Sequence, residues 1–170
     1  MINTENQINI LDILKEAISI EIYGQEYYSI FSDIVEEENG KSIFRRLSRD
    51  EGDHKQLLEK EYRQISGKPI EEGVMDEKNR EQARRVFPES LEPMTITETQ
   101  EALKIGIRTE ERSIELYSNS AQETGIRSSK DLFLKLVIFE KGHKEILEAA
   151  LYHLGQEGSW YGYSPPTIKG

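Results

Sequence analysis

The sequence predicts an all-α protein, a four-helix bundle built from two repeated helical hairpins with a long crossover between the second and third helices. Three observations support this prediction. Four long segments place apolar residues three and four positions apart, the spacing of one helix face. The two halves of the chain align without a gap when one is shifted by 89 positions. Between them, residues 67–96 hold three of the five prolines.

The first hairpin has recognisable start and stop signals. Its first helix is expected to begin at Thr4, where a Thr-x-x-Gln pattern fits a capping box. The pair Asn39-Gly40 is typical of a turn and is expected to end that helix. The second helix is expected over residues 41–65, because Gly67 follows it and glycine commonly terminates helices.

The second hairpin repeats this plan. Its first helix is expected to begin near Thr97, again with a Thr-x-x-Gln pattern, and to end at Gly125. Its second helix is expected over residues 128–154, followed by Gly155. A structureless crossover of about 30 residues would be unusual, and residues 76–87 fit a short, charge-rich helix within it.

These elements define the expected domain organisation. Residues 1–155 would form one helical bundle domain, with the crossover at about residues 67–96. Residues 156–170 would form a C-terminal tail that contains aromatic residues and prolines.

The internal repeat supports the pairing of the two hairpins. Residues 11–62 share 15 identities with their counterparts over 52 aligned positions. Unrelated segments of this length would share about three by chance, so the repeat predicts a pseudo-twofold axis through the bundle. Glu26 and Glu115 are a repeated pair that lies off the apolar stripes, so we expect both to face solvent.

Composition limits the classes of function. The chain has 22 Lys and Arg against 32 Asp and Glu, a net charge of −10. This balance does not suit nucleic acid or an anionic membrane, but it suits metal cations. The absence of cysteine excludes disulfides, thiolate-bound clusters and a thiol nucleophile. No apolar run approaches roughly 18 residues and no signal peptide is evident, so we expect a soluble cytoplasmic protein.

Acidic and imidazole side chains interrupt the apolar stripes at repeated positions. The first and third helices each carry one glutamate, and the second and fourth each carry a Glu-x-x-His pair whose members share a helix face. The residues are Glu21, Glu51, His54, Glu110, Glu140 and His143. Four buried carboxylates would repel one another unless cations neutralised them, and two divalent ions would balance their charge.

The chemistry of this set indicates which metals fit. Mixed carboxylate and imidazole ligands suit iron or manganese and admit zinc. Two Glu-x-x-His pairs plus two single glutamates are also the di-metal pattern of ferritin-like bundles. The alternative is a set of polar seams in a loosely packed helical protein, which leaves the repetition of all six residues unexplained.

The four segments around these residues, IEIYGQEYY, DEGDH, TEERSIELY and FEKGH, resemble the rubrerythrin branch of the ferritin-like superfamily over about residues 5–154. The resemblance implies a ferritin-like four-helix bundle with two iron ions that reduces hydrogen peroxide or oxidises Fe(II) with oxygen. It also implies that the six residues are the metal ligands and that Glu51 and Glu140 bridge the two ions.

The chain departs from that family in two respects. Typical rubrerythrins carry a rubredoxin-like domain, which this cysteine-free chain lacks, so we expect a separate electron-donor protein. They also carry an extra glutamate about one turn from the third-helix ligand, where this chain has Ile107 and Ser113. The symmetric set of six is therefore closer to bacterioferritin-type or stand-alone erythrin-like sites.

Residues near the six have weaker signals. Tyr28 and Tyr117 lie seven residues, about two turns, past the single glutamates, so each is a candidate to hydrogen-bond a ligand carboxylate or pass electrons. The alternative is that they are ordinary core aromatics. Asp50, Asp53 and Glu111 flank ligand candidates and are expected to face solvent.

The expected function is therefore that of a di-iron oxidoreductase acting on hydrogen peroxide, oxygen or Fe(II) and supplied with electrons by another protein. Two alternatives remain open, namely an iron storage or sequestration protein of ferritin type and a non-catalytic metal-binding bundle. By analogy with other bundles of this fold, we expect a homodimer.

Overall fold

The computed structural model describes residues 4–71, 74–87 and 94–157. In these ranges the chain forms helices only, so the all-α prediction is confirmed. The helices are α1 (Thr4–Ile34), α2 (Glu38–Ser66), α3 (Val74–Arg84), α4 (Ile96–Glu123) and α5 (Arg127–Glu157). The four long helices make the bundle and α3 lies in the crossover. None of the described helices is long and apolar enough to cross a membrane. The aromatic tail falls outside the described residues from position 158 onward.

The link between α1 and α2 is tighter than the sequence predicts. Helix α1 ends at Ile34 and α2 begins at Glu38, so the pair Asn39-Gly40 lies in the first turn of α2 rather than between the helices. Glu37 has an extended backbone and precedes that turn. Asparagine and glycine are also common where helices begin, so their presence alone does not distinguish the two positions.

Two other helix ends differ from the prediction and one agrees with it. The capping box of α4 is formed by Thr95 and Glu98, two residues before the expected pair. Helix α5 continues through Gly155, because one exposed glycine in a helix costs only about 1 kcal/mol. Gly67 ends α2 as predicted, with a φ of 75° that only glycine adopts at little cost.

Buried apolar residues form two separate cores along the bundle. One, the α3-side core, contains Tyr27, Tyr28, Phe31, Ile34, Val35, Ile43, Phe44, Leu47, Ala83, Phe87, Ala102, Leu103, Ile146, Leu147, Ala150 and Leu154. The other, the distal core, contains Ile10, Leu14, Ala17, Ile18, Ile22, Leu58, Tyr62, Tyr117, Ala121, Phe133, Leu136 and Val137. In every long helix the candidate ligands fall where one core gives way to the other.

The short helix α3 packs against α1 beside the α3-side core. Ala83 and Phe87 are buried there, and the Phe87 ring lies 4.9 Å from that of Tyr27. Glu26 accepts hydrogen bonds from Arg80 at 3.1 Å and from Arg84 at 2.9 Å. The expectation that Glu26 faces solvent is therefore wrong, because the crossover returns over α1 and covers it.

Candidate metal centre

The six candidate ligands converge inside the bundle. Each of them is exposed by 3% or less of its surface, although every one is ionisable. Helices α1 and α4 contribute Glu21 and Glu110, while α2 and α5 contribute the two Glu-x-x-His pairs. Burial on this scale is rare for carboxylates without charged partners, so the group requires a specific electrostatic explanation.

The two Glu-x-x-His pairs form the centre of the group. Potential ligand atoms of Glu51, His54, Glu140 and His143 all lie within 4.8 Å of one another, as in a set that could hold a metal ion. Nδ1 of His54 lies 2.9 Å from Glu140 Oε1 and 3.5 Å from Glu51 Oε2. Nδ1 of His143 lies 3.1 Å from Glu51 Oε1 and 3.2 Å from Glu140 Oε2. Each carboxylate thus directs one oxygen towards each histidine.

The single glutamates lie on either side of this centre. Oε2 of Glu21 is 3.5 Å from Nδ1 of His54. The Tyr117 hydroxyl donates a hydrogen bond to Glu21 Oε1, and the Tyr28 hydroxyl donates one to Glu110 Oε1. Each tyrosine therefore reaches the glutamate of the other hairpin.

The aromatic rings beside these tyrosines repeat the same symmetry. Tyr28 stacks on Phe44 with ring centres 6.2 Å apart and 17° between the planes. Tyr117 stacks on Phe133 with ring centres 6.0 Å apart and 16° between the planes. Because Phe44 and Phe133 are repeat counterparts, the pseudo-twofold relation that the sequence predicts extends to side-chain packing around the site.

Several polar atoms of the group have no properly directed hydrogen bond within the described part of the chain. They are Glu21 Oε2, Glu140 Oε1 and Oε2, His54 Nδ1 and His143 Nε2. Buried polar atoms are ordinarily paired, because an unpaired one costs about 1–3 kcal/mol. Three of these atoms are carboxylate oxygens and a fourth is the Nδ1 atom of His54. Carboxylate oxygens and imidazole nitrogens are common metal ligands in proteins. The donor set therefore fits divalent cations.

The acidic groups differ in their proton affinity. Burial raises the pKa of Glu21 and of Glu110 well above the usual value, and the charges on Glu51 and Glu140 raise both further. Burial acts in the same direction on Glu51, but hydrogen bonding with Glu21 and the neighbouring His143 outweigh it and lower that pKa. The pKa of Glu140 is also lowered, because the two histidines outweigh its burial and the repulsion from Glu51.

The histidines are held in the protonated form when no metal is bound. Burial alone would lower the pKa of His54, but contacts with Glu140, Glu21 and Glu51 raise it to about 12. Burial is likewise outweighed at His143, whose pKa is raised well above its usual value by Glu51 and Asp50. The raised pKa values of the two histidines, Glu21 and Glu110 favour their protonated forms, which reduces the negative charge of the metal-free cluster.

Gly24 of α1 allows Glu51 to reach the centre of the site. A Cβ atom at this position would lie 3.3 Å from both Cγ and Cδ of Glu51. The sequence places Gly24 on the buried stripe, but stripe position alone does not reveal that a carboxylate packs against it. The useful signal is a residue without a side chain one turn after Glu21.

Asp50 lies beside the candidate metal centre, whereas the sequence predicts that it faces solvent. Its Oδ2 atom lies 3.4 Å from Nε2 of His143. The side chain is 30% exposed, so it sits at the edge of the buried site on the α5 side of α2. Position along one helix does not predict this contact, because it depends on where α5 packs. Asp53 and Glu111 are exposed, as expected.

Comparisons with known proteins agree with this architecture. The family model described as Rubrerythrin matches residues 12–151. A dodecameric thioferritin, the bacterioferritin-related protein of Bacteroides fragilis, shares 18% identity over 92% of both chains with a TM-score of 0.71. A hypothetical protein from Pyrococcus furiosus shares 24% identity over 91% of this chain and 93% of its own, with a TM-score of 0.70.

These structural likenesses, at low sequence identity, establish a shared fold. No curated protein matches the chain. The family match extends from residue 12 in α1 to residue 151 in α5 and includes all six buried Glu and His residues. Taken with the helical bundle and its carboxylate and histidine cluster, this match means that the chain belongs to the rubrerythrin family of ferritin-like proteins.

Proposed function

We propose that this protein is a di-iron oxidoreductase that reduces hydrogen peroxide or oxygen with electrons from a separate donor protein. The observation that supports it best is the arrangement of Glu51 and Glu140, each with one oxygen near each of two histidines from opposite hairpins. A carboxylate with its oxygens divided in this way is suited to bridge two cations.

The proposed ligand assignment is supported by the same contacts and by the internal repeat. Glu21 and His54 would hold one ion, since Glu21 Oε2 lies 3.5 Å from His54 Nδ1. Their repeat counterparts Glu110 and His143 would hold the other. Glu51 and Glu140 would bridge the two. Family membership favours iron, while the ligand types also admit manganese or zinc.

Bound Fe(II) would supply two electrons that, with two protons, convert one hydrogen peroxide molecule to two water molecules. The protein's contribution is a dry, positioned site between two apolar cores. The Tyr28 and Tyr117 hydroxyls orient Glu110 and Glu21 by donating to their Oε1 atoms. Burial keeps those hydroxyls protonated, since it raises the pKa of each tyrosine well above its usual value.

The donor of electrons would be another protein. The 170 residues contain no cysteine, so they hold no thiolate-bound iron that could pass electrons to the site. A separate carrier would have to approach the bundle between turnovers.

Anaerobic metal loading followed by a peroxide challenge tests the proposal. We expect two iron ions per chain by elemental analysis and oxidation of both by one equivalent of peroxide. Glu51→Ala and His143→Ala should abolish uptake. Glu115→Ala is the matched control, because it removes an exposed glutamate of α4. Stoichiometric iron in both site variants, or loaded iron that peroxide does not oxidise, would contradict the proposal.

Iron storage is the second candidate, favoured by the fold shared with a dodecameric thioferritin. Size-exclusion chromatography with light scattering separates it from the homodimer that we propose for this chain. A large shell that accumulates many iron ions per chain would favour storage. A dimer that retains two per chain would favour the oxidoreductase.

A further inference from the structure

The pseudo-twofold symmetry of the centre fails at one position beside each histidine. Asp50 precedes the glutamate of α2, and its counterpart 89 positions later, before the glutamate of α5, is Phe139. Both residues lie next to the histidine of the other hairpin. The two histidines therefore share matching ligand atoms but have different outer neighbours.

His143 has a carboxylate at its outer edge. Its Nδ1 atom faces the central carboxylates, while Nε2 lies 3.4 Å from Asp50 Oδ2. Nε of Arg46 lies 3.7 Å from the same Asp50 oxygen. Nε2 makes no well-directed hydrogen bond in the described residues, and Asp50 is an acidic group at ion-pair distance from it, on the side of the ring away from Nδ1.

His54 has an apolar neighbour in the equivalent place. All its recorded ion-pair contacts within the described residues are made by Nδ1, with Glu21, Glu51 and Glu140. The Phe139 ring lies 5.2 Å from the imidazole, centre to centre. Lys135, the counterpart of Arg46, places its Nζ atom 5.7 Å from the centre of that ring. His143 therefore borders a carboxylate, whereas His54 borders an aromatic ring that itself lies near a lysine.

Given the proposed di-metal function, we propose that Asp50 is a positioning residue that makes the two metal positions unequal in affinity. A carboxylate that accepts the second N–H of a ligating histidine fixes its tautomer and ring orientation and raises its basicity. The ion held by His143 and Glu110 binds more tightly, and fills first, than the ion held by His54 and Glu21.

Titration of the metal-free protein with Co(II), followed by calorimetry and by cobalt absorption, tests this inference without any turnover. The unaltered protein should bind two equivalents in two resolved steps. Asp50→Ala should weaken the tighter step by roughly 10- to 100-fold and bring the two steps together. Asp53→Ala is the matched control, since it removes an exposed aspartate from the same helix. It should leave both steps unchanged.

Phe139→Asp supplies the reciprocal test, because it gives His54 the carboxylate neighbour that His143 already has. The weaker step should tighten, by up to the same factor, while the stronger step stays in place. Thermal unfolding of each metal-free variant separates a change at the metal from a general loss of structure, which would weaken both steps together.

Three results would overturn the inference. Two equal steps in the unaltered protein would contradict it while leaving the di-metal function intact. Equal effects of Asp50→Ala and Asp53→Ala would also contradict it, since they would assign the change to net charge. No uptake of cobalt or iron by the unaltered protein would overturn the proposed function and the inference together.

Discussion

The hydroxyl of Tyr28 on α1 donates a hydrogen bond to Oε1 of Glu110 on α4. The repeat counterpart of this contact runs in the opposite direction, from Tyr117 to Glu21. Both tyrosines are fully buried, so neither hydroxyl has water to replace its partner. The pair of bonds joins the two hairpins at the level of the candidate metal centre.

Tyr28→Phe should leave Glu110 without its donor. We expect retention of both metal ions, slower oxidation by peroxide, and a loss of about 1–2 kcal/mol in the unfolding free energy of the metal-free protein. Stopped-flow absorption and urea denaturation provide the measurements. Tyr27→Phe is the control, because the Tyr27 hydroxyl donates to the backbone oxygen of Ala102 rather than to a candidate ligand. It should cost stability without slowing oxidation, and equal rates in the two variants would contradict a role for Tyr28.

Gly24→Leu should displace Glu51, because even a Cβ atom at this position lies 3.3 Å from its carboxylate carbon. We expect loss of at least one metal equivalent by elemental analysis, in a protein that remains helical by circular dichroism. Gly155→Ala is the control. A Cβ there meets only Gln100 at 3.6 Å, and alanine should stabilise α5 by up to about 1 kcal/mol. Full metal content in Gly24→Leu would contradict the close packing inferred here.

The metal-free protein should become less stable as pH rises from about 5 to 8. Folding raises the pKa of Glu21 and Glu110, so their contribution is complete below about pH 4.5 and is lost as pH rises. Folding also raises the pKa of His54 and His143, whose contribution begins to fall above about pH 6.5. Each group changes the unfolding free energy by at most about 1.4 kcal/mol per pH unit.

Thermal unfolding across this pH range measures the effect. The double variant Glu21→Gln, Glu110→Gln should flatten the slope between pH 5 and 6.5, because glutamine does not titrate. Saturating metal should remove the decline, since cations replace the protons. A melting temperature of the metal-free protein that rises throughout this range would contradict the assignment.

Metal uptake at pH 7 should release protons. The pKa values of Glu21, Glu110, His54 and His143 are all raised in the metal-free site, so each group keeps its proton to a higher pH than it would in water. Binding of metal ions should therefore release protons, and affinity should increase with pH. Calorimetry in buffers of different ionisation enthalpy counts them. Uptake without proton release would show that the site is already fully deprotonated.

The position of the buried Glu and His cluster follows from sequence because helical periodicity is local. Glu51 and His54 lie on the apolar stripe of α2. Because the apolar stripe of a bundle helix faces the core, both side chains must point into the interior. The repeat then assigns Glu140 and His143 to the same depth. Helix ends are less determined, since Thr95 and Thr97 are equally good caps and packing selects between them.

Contacts between helices were the part that sequence could not provide. Asp50 and Asp53 are three residues apart in the same segment, yet Asp50 lies 3.4 Å from His143 of α5 while Asp53 is exposed. Glu26 and Glu115 are repeat counterparts, yet only Glu26 is covered, because the crossover helix α3 lies over one hairpin. Such differences depend on the path of the chain outside the repeat.

The crossed tyrosine–glutamate bonds have a consequence for assembly. Glu21 receives its hydroxyl partner from the later half of the chain, and Glu110 receives its partner from the earlier half. Neither half of the chain supplies both partners of a tyrosine–glutamate bond. We therefore expect docking of the two halves and formation of the candidate metal centre to be one cooperative event. A bundle in which the two halves have partly separated should consequently lose bound metal before any single helix unwinds.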